Sequence, residues 1–582
     1  MVSSRLTCCV LVIFLAVHSS TCARILCVFP IPSFSHQVVY RSLTQELARR
    51  GHQLVIGTTD PTYKQHPNVT EHDWKYLYQK WNEELSFYKF GERKFEVKDI
   101  LKMFFGLAYV ITDVIYSTPE MQSIINNRTE KFDLLIMEYF AFPSFNALGR
   151  LLNVPMIGIS SMDQVMANHD IIGNTAHFVL YPDSHFDQTL IPRSFHDRLD
   201  RFKYGAWFRY YYRNIVFRDH DKIVKKYFGD RHGNLCDKDD KPDLVLANAH
   251  PALGFSRPVV PTFIDITGIH IQPVQPLPEE IKTYLDEATN GAVLLSLGSN
   301  VKSSLLAQEI KRMFLEGFSE LPYKFIWKLD SDEPMGSYNN LRTLSWVPQN
   351  DILSHPNVKL FIFQGGYQSF VESVTHAVPM IGVPFIGDQF LNVEKILHYE
   401  IGLNYNYIVL VNITCKLLFW IFIINYFLFR YRENVRKISS QLYDSPLSPL
   451  ERAVWWTEYV IRHNGTAHLN PLTPQLSWPQ FFYLDIFAYY ICIFFICVFA
   501  LYFVLAVDMF ALLLCGGSDR ERLVEGDILT SPADLSIHRI APQWKGWIYR
   551  DGSSLLNTSN PDSQNFLYFY SLKSPSTQLP QR

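Results

Sequence analysis

Short apolar runs without polar alternation recur along this chain at 24–29, 52–58, 132–138, 154–160, 291–299, 359–363 and 380–385. Their length, and the turn residues that bound them, predict strands buried on both faces. Helical patterning separates several of them, at 37–50 (stopped by Gly51), at 143–152 and at 367–377 after the tight turn Gly365-Gly366. Strand, helix, strand in that order is a βαβ unit, so the pattern predicts an α/β chain with parallel sheets and helices on both faces. The proline-rich stretch 272–278 separates one such series from a second that runs to about residue 400. No fixed-period repeat is present.

Both ends depart from this pattern. Arg5, the apolar stretch 8–17 and the small and polar residues up to Cys22 have the layout of a secretory signal peptide over 1–22, with cleavage near Ala23. Residues 486–507, bounded by Asp485 and Asp508, lack charge and suffice to cross a bilayer as a helix. Arg520 and Arg522 lie just downstream of that span, and 465–484 holds no Lys or Arg, so the charge bias places the C-terminus in the cytosol. The predicted topology is type I with a lumenal body. In it the sequons at Asn68, Asn127, Asn412 and Asn464 are lumenal glycosylation sites, and Asn557 is cytosolic and unmodified.

Composition narrows the partners. Among 582 residues, 48% are hydrophobic and 19% charged, which excludes disorder for most of the chain. A formal net charge of -3 with no basic stripe gives no reason to expect nucleic acid, leaving small molecules and a lipid bilayer. Of nine cysteines, Cys8, Cys9 and Cys22 lie in the signal and Cys492, Cys497 and Cys515 in or beside the apolar span; Cys27, Cys236 and Cys415 remain, and no C-x-x-C pair suggests zinc or a disulfide framework. No metal and no cofactor is expected.

One block carries the chemistry. Trp346-Val-Pro-Gln-Asn-Asp is followed by Phe361-Ile-Phe-Gln-Gly-Gly-Tyr-Gln-Ser-Phe-Val-Glu and by Val378-Pro-Met-Ile-Gly-Val-Pro-Phe-Ile-Gly-Asp-Gln. Backbone N–H groups at the start of the 367–377 helix can face a diphosphate. The ordered block closely resembles the signature of the membrane-bound animal UDP-glycosyltransferases, the insect-like branch in particular. The resemblance covers about 24–405 and 431–507. It implies the GT-B arrangement: two Rossmann-like domains facing a cleft, an acceptor-binding one over 23–275 and a UDP-sugar-binding one over 276–440. A returning segment (441–485), the transmembrane helix (486–507) and an atypical tail (508–582), read as disordered from its scattered Pro, Ser and Asn, would follow.

His36 sits in Pro30-Ile-Pro-Ser-Phe-Ser-His36-Gln, between the first strand and the first helix. That is the carboxyl end of the sheet, where open α/β folds bind ligands, and imidazole titrates near neutrality. The resemblance makes His36 the general base and Glu138 the carboxylate that orients it, where the family usually has aspartate. It assigns donor contacts to Trp346 (stacking on uracil), Gln349 (base or ribose) and Glu372 (ribose hydroxyls). Gly298, Ser299, Gln364, Gly366, Gln368 and Ser369 would approach the diphosphate, and Asp388 with Gln389 the sugar hydroxyls. Taken singly, these residues have plain structural alternatives: a core tryptophan, loop polar groups, an Asp388 that only caps a helix.

The implied reaction transfers a hexose, glucose in this branch, from a UDP-sugar co-substrate to a hydroxyl of a small lipophilic acceptor, with inversion, in the endoplasmic reticulum. Oligomers of like or unlike chains are compatible with it. Beyond Glu138 and the tail, three further departures stand against the family pattern: Gln364 replaces a usual histidine, Phe363 a usual Ser or Thr, and the apolar segment 407–429 a charged amphipathic helix. They keep open a membrane-anchored protein of this fold that binds but no longer transfers, and a two-span transport or receptor component. Nothing in 60–129 identifies the acceptor.

Overall fold

The computed structural model describes residues 22–521, apart from internal stretches of which 88–96, 184–193, 236–240, 300–305, 330–337 and 405–413 are the longest. Residues 1–21 of the expected signal, Asn127, Asn412, residues 407–413 and the tail beyond 521 lie outside the described residues.

Among the described residues thirteen strands form two sheets, every ladder in them parallel. The first comprises β1 (Arg24–Phe29), β2 (Gln53–Thr58), β3 (Val69–Asp73), β4 (Leu134–Glu138), β5 (Met156–Ser160), β6 (Leu244–Ala247) and β7 (Phe263–Asp265), in the order β3-β2-β1-β4-β5-β6-β7. The second comprises β8 (Ala292–Ser296), β9 (Lys324–Lys328), β10 (Leu341–Leu344), β11 (Val358–Phe363), β12 (Met380–Gly382) and β13 (Gly402–Asn404), in the order β10-β9-β8-β11-β12-β13. The change from one sheet to the other falls between Asp265 and Ala292, and the proline-rich stretch 272–278 lies in that interval. The apolar runs do become strands, but β12 stops at Gly382 rather than 385. Pro384 has no N–H for a ladder, and the amides of Phe385 and Ile386 turn instead to the Gln389 side chain.

Each central strand feeds both faces of its sheet. Ile25, Cys27 and Phe29 enter one buried cluster; Leu26 and Val28 enter another. Helix α1 (Phe34–Arg49) covers the first face with Val39, Tyr40, Leu43 and Leu47. Helix α2 (Val97–Ser117) and helix α3 (Ser144–Leu152) serve the second, through Leu101, Phe105, Ile111 and Ile115 and through Phe145 and Leu148. In the second half, α4 (Tyr367–Thr375) and α5 (Gln389–His398) pack Phe370, Val371, Val393 and Ile396 around β11.

The returning segment ties the halves together. Helix α6 (Thr414–Tyr443) buries Val435, Ile438 and Leu442 in the second-half core. Its first turns hold residues 414–429, so the atypical apolar segment is helical there and continuous with a helix docked on the donor half. Helix α7 (Pro449–His463) then buries Ala453, Val454 and Val460 against β1 and α1 of the first half. Ser448 and Glu451 form a capping box and Pro449 occupies the first turn, which starts α7 sharply after the crossing.

Helix α8 (Leu484–Glu521) corrects the sequence reading at its end. Asp508 does not terminate it, and 508–521 is helical rather than part of a disordered tail. The residues after Asp508, Met-Phe-Ala-Leu-Leu-Leu, are strong helix formers, and a single aspartate costs too little to stop them. The apolar part spans 31 residues from Leu484 to Leu514, long enough to cross a membrane. Helix α2 is also long and apolar enough, but it is a core helix of the first half.

Val454 is fully buried in α7. Its replacement by Asp would bury an unpaired carboxylate, and Val454→Asp is expected to cost roughly 3 kcal/mol or more. Thermal unfolding of detergent-solubilised protein should show a large fall in midpoint, against little change for Trp455→Ala on the exposed face. An unchanged midpoint for Val454→Asp would contradict the packing of α7 on the first half.

Candidate active site

In each sheet the strand order reverses once, between β1 and β4 in the first and between β8 and β11 in the second. The carboxyl ends of strands at such a switch point splay their connections apart and open a crevice. His36 follows β1 in the first turn of α1, and Glu138 ends β4. Gly298 follows β8, and Gln364 with Gly366 follows β11. The two halves of the sequence signature therefore lie at equivalent places in the two sheets.

At the first switch point His36 Nδ1 is 2.8 Å from Glu138 Oε1. The same oxygen accepts the Tyr40 hydroxyl at 2.7 Å, and Glu138 Oε2 accepts the Ile31 N–H at 3.1 Å. The Glu138 side chain is wholly inaccessible. An ionised carboxylate is an acceptor only, so Nδ1 of the neutral ring carries the proton and Nε2 is left with its lone pair. Burial, reinforced by the Glu138 charge, holds the Tyr40 phenol well above its ordinary value, so it remains a donor. The longer acid is thus accommodated: Glu138 meets His36 in hydrogen-bond contact.

The second switch point is polar and close-packed. Gly298 has φ +78, and a Cβ there would fall 2.3 Å from Gln364 Nε2, so this loop closes on Gln364 only as glycine. Gln364 Oε1 is buried without a hydrogen-bond partner among the described residues. Ser299 follows in the same turn, half-buried. Lys328 at the end of β9 donates to the Gly298 carbonyl at 2.7 Å and lies 4.6 Å over the Trp346 ring. Trp346 is 55% exposed and meets Phe34 of the first half edge-on at 4.9 Å, two residues before His36. Gln349 Nε2 donates to Ser369 Oγ at 2.8 Å and to Glu372 Oε2 at 2.6 Å, joining three of the expected donor residues.

Three expected contacts are occupied differently. Gln368, expected at the diphosphate, donates through Nε2 to the Ser161 carbonyl beyond β5 at 2.8 Å, and its own carbonyl lies 3.3 Å from His270 Nε2. It ties the start of α4 to the first half. Gln389 Oε1 accepts from the amides of Phe385 and Ile386 at 2.8 and 3.0 Å, which shapes the loop before α5. Asp388 caps no backbone N–H with its side chain, but accepts Asn392 Nδ2 at 2.8 Å. Phe363 is fully buried against Phe361 at 4.9 Å, so that departure from the family is a packing change.

Between the halves lies a cavity of about 110 Å³ lined by Asp163 and Arg257 from the first and by Tyr367, Asp388, Asn392 and Lys395 from the second. Burial lowers the Lys395 ammonium to about 8. Among the described residues no cluster of His, Cys, Asp or Glu is arranged to hold a metal.

The family described as UDP-glucoronosyl and UDP-glucosyl transferase matches residues 24–514. The chain belongs to the UDP-glycosyltransferase family. It is 31% identical over 477 residues to UDP-glucosyltransferase 2 of Dactylopius coccus, covering 81% of this chain and 90% of that one. It is 26% identical over 494 residues to UDP-glucuronosyltransferase 2B17 of Homo sapiens, with 81% and 90% covered. Among solved structures it superposes on TcCGT1 in complex with UDP at a TM-score of 0.50 and 15% identity, covering 76% of this chain and 99% of that one. The fold is accordingly GT-B, and the chain is a glycosyltransferase that takes a UDP-sugar. Helix α8 fits the membrane anchor of such enzymes.

Four residues of this transferase site had no reading in the sequence: Tyr40, Ser161, Lys328 and Lys395. Tyr40 lies one turn after His36, and that i, i+4 spacing on one helix face was the available signal.

Glu372 connects the site to stability. Burial pushes its carboxyl up to about 7 from 4.5, with Gln349 opposing the shift and Asp351 adding to it. A raised carboxyl means the folded state resists ionisation that the unfolded chain accepts, so stability falls as pH rises from 4.5 to about 7 and then levels. Glu372→Gln keeps the shape and removes this liability. Its thermal midpoint should match the parent below pH 4.5 and exceed it by a margin that grows towards pH 7, while UDP affinity drops. A margin that does not change with pH would contradict the assignment.

Proposed function

We propose that this transferase moves glucose from UDP-glucose to a hydroxyl of a small lipophilic acceptor in one inverting displacement. The observation that carries the reading is the buried His36–Glu138 pair at 2.8 Å, which leaves Nε2 as a base at the mouth of the first switch point. In the proposed step the acceptor O–H proton passes to His36 Nε2 as the oxygen bonds to the anomeric carbon. The bond from that carbon to the diphosphate breaks, and UDP leaves with the electron pair. Glu138 stabilises the imidazolium that results.

The donor roles follow the same logic. Trp346 stacks on uracil, displacing Lys328 from its face. Gln349 and Glu372 read the ribose, and the N–H groups at the start of α4, from Gly366 to Ser369, take the diphosphate with the positive end of the helix behind them. Gln364 offers an amide in place of a charged imidazole. Asp388 and Gln389 read the sugar hydroxyls, Gln389 with the amide end left after its carbonyl is spent on the 385–386 backbone. Glucose as the donor sugar is supported by the Dactylopius coccus relative, itself named a glucosyltransferase.

We place the body in the lumen of the endoplasmic reticulum, held by α8 with the C-terminus in the cytosol. Asn464 is exposed at the end of α7 and free to carry a glycan in that topology. Asn68 is half-buried, with its Nδ2 3.4 Å from the Ala48 carbonyl. Glycan mapping should find Asn464 modified; an unmodified Asn464 in protein efficiently modified at Asn68 would contradict this topology.

His36→Ala tests the mechanism. With UDP-glucose and a phenol in expressing microsomes, turnover should fall by roughly 10² to 10⁴, the usual worth of a general base, while UDP affinity is retained. Normal turnover would remove His36 from the reaction.

A further inference from the structure

The family resemblance implies an aspartate where this chain has Glu138, and a glutamate carries one more methylene and one more rotatable bond. A longer carboxylate left to itself spreads over more rotamers, and the contact to His36 would be held for less of the time. The structure supplies a restraint. Tyr40 and His36 stand four residues apart on one face of α1, and both reach Glu138 Oε1, at 2.7 and 2.8 Å. The Ile31 N–H holds the other oxygen at 3.1 Å.

The phenol is itself fixed. Its ring stacks on Phe29 with centroids 4.7 Å apart, it is buried, and Ser161 lies beside its oxygen. The charged groups on the elements packed against α1 are engaged elsewhere. Arg41 lies over Phe34 and donates to the Asp60 carbonyl; Arg49 and Arg50 pair with Glu46, and Glu458 of α7 pairs with Arg50. From β2, Thr58 faces Gln37.

We propose that Tyr40 is a positioning residue: its hydroxyl pins the Glu138 oxygen that faces His36, compensating for the longer acid at this site. The phenol touches neither substrate. Its effect reaches the reaction through Glu138, and the proposal rests on His36 being the base. Because the phenol shares the oxygen that faces Nδ1, it also tempers the pull of Glu138 on the imidazolium. Removing the hydroxyl therefore loosens the carboxylate and strengthens its hold on a protonated ring at the same time.

The full chain in microsomes, assayed with UDP-glucose and a phenol across pH, separates these effects. Tyr40→Phe should lower kcat about 10-fold, the size expected for losing one hydrogen bond to a charged group, with KM for UDP-glucose unchanged. The acidic limb of kcat/KM should move to higher pH. Site-specific 3-fluorotyrosine at position 40, a stronger donor that keeps the ring, should move that limb to lower pH, and this arm stands even if Tyr40→Phe does not fold. Loss of turnover equal at every pH would reduce Tyr40 to a packing residue and overturn the proposal, as would a limb that ignores both changes. His36→Ala in the same assay keeps the outcomes distinct: if it turns over normally, the base assignment has failed instead.

Discussion

A buried carboxyl group with three hydrogen-bond partners fixes the first half of this enzyme. Glu138 lies at the end of β4, out of contact with water, and is tolerable there only because three donors converge on it: the His36 ring, the Tyr40 hydroxyl and the Ile31 amide. All three come from the connection that leaves β1, the strand next to β4. Satisfying one carboxyl group thereby holds the β1–α1 loop in place, sets the tautomer of the imidazole and leaves one ring nitrogen to accept a proton. The chemistry and the topology are the same constraint seen at two scales.

The donor half has no such hub and depends on close approach instead. Gly298 lets its loop lie against Gln364, and Lys328 braces that loop from below while covering Trp346. Gln368 reaches out of this half to the Ser161 carbonyl, next to the phenol of Tyr40. Together with α6 and α7, which bury their apolar faces in opposite halves, this bond gives the two sheets a defined relation across the cleft. The proposed base on one wall then faces the wall proposed to hold the sugar.

Much of this was readable in the chain because buried parallel strands write themselves as continuous apolar runs, and because glycines and carboxylates at their ends mark where connections turn. The strands and turns around His36, Glu138 and the 346–389 block were legible on those grounds, whereas the roles given to their residues came from the family resemblance. Side-chain reach was not. Tyr40 occupies a position that periodicity assigns to the core, and it is buried; only the fold shows that its hydroxyl ends on Glu138. Gln368 reads as a diphosphate contact until the Ser161 carbonyl is seen beside it. The misjudged end of α8 has a different cause: charge was taken as a boundary at Asp508, whereas helix propensity on its far side carries the helix on to Glu521.

The proposed reaction, with His36 as its single base, is one displacement at the anomeric carbon, and its outcome is written into the product. Nuclear magnetic resonance of the purified glucoside formed from α-linked UDP-glucose reads that outcome from the coupling of the anomeric proton. The account predicts the β-glucoside, with its large diaxial coupling, from the first turnover; an α-glucoside would require a second displacement or a different attacking face and would contradict it.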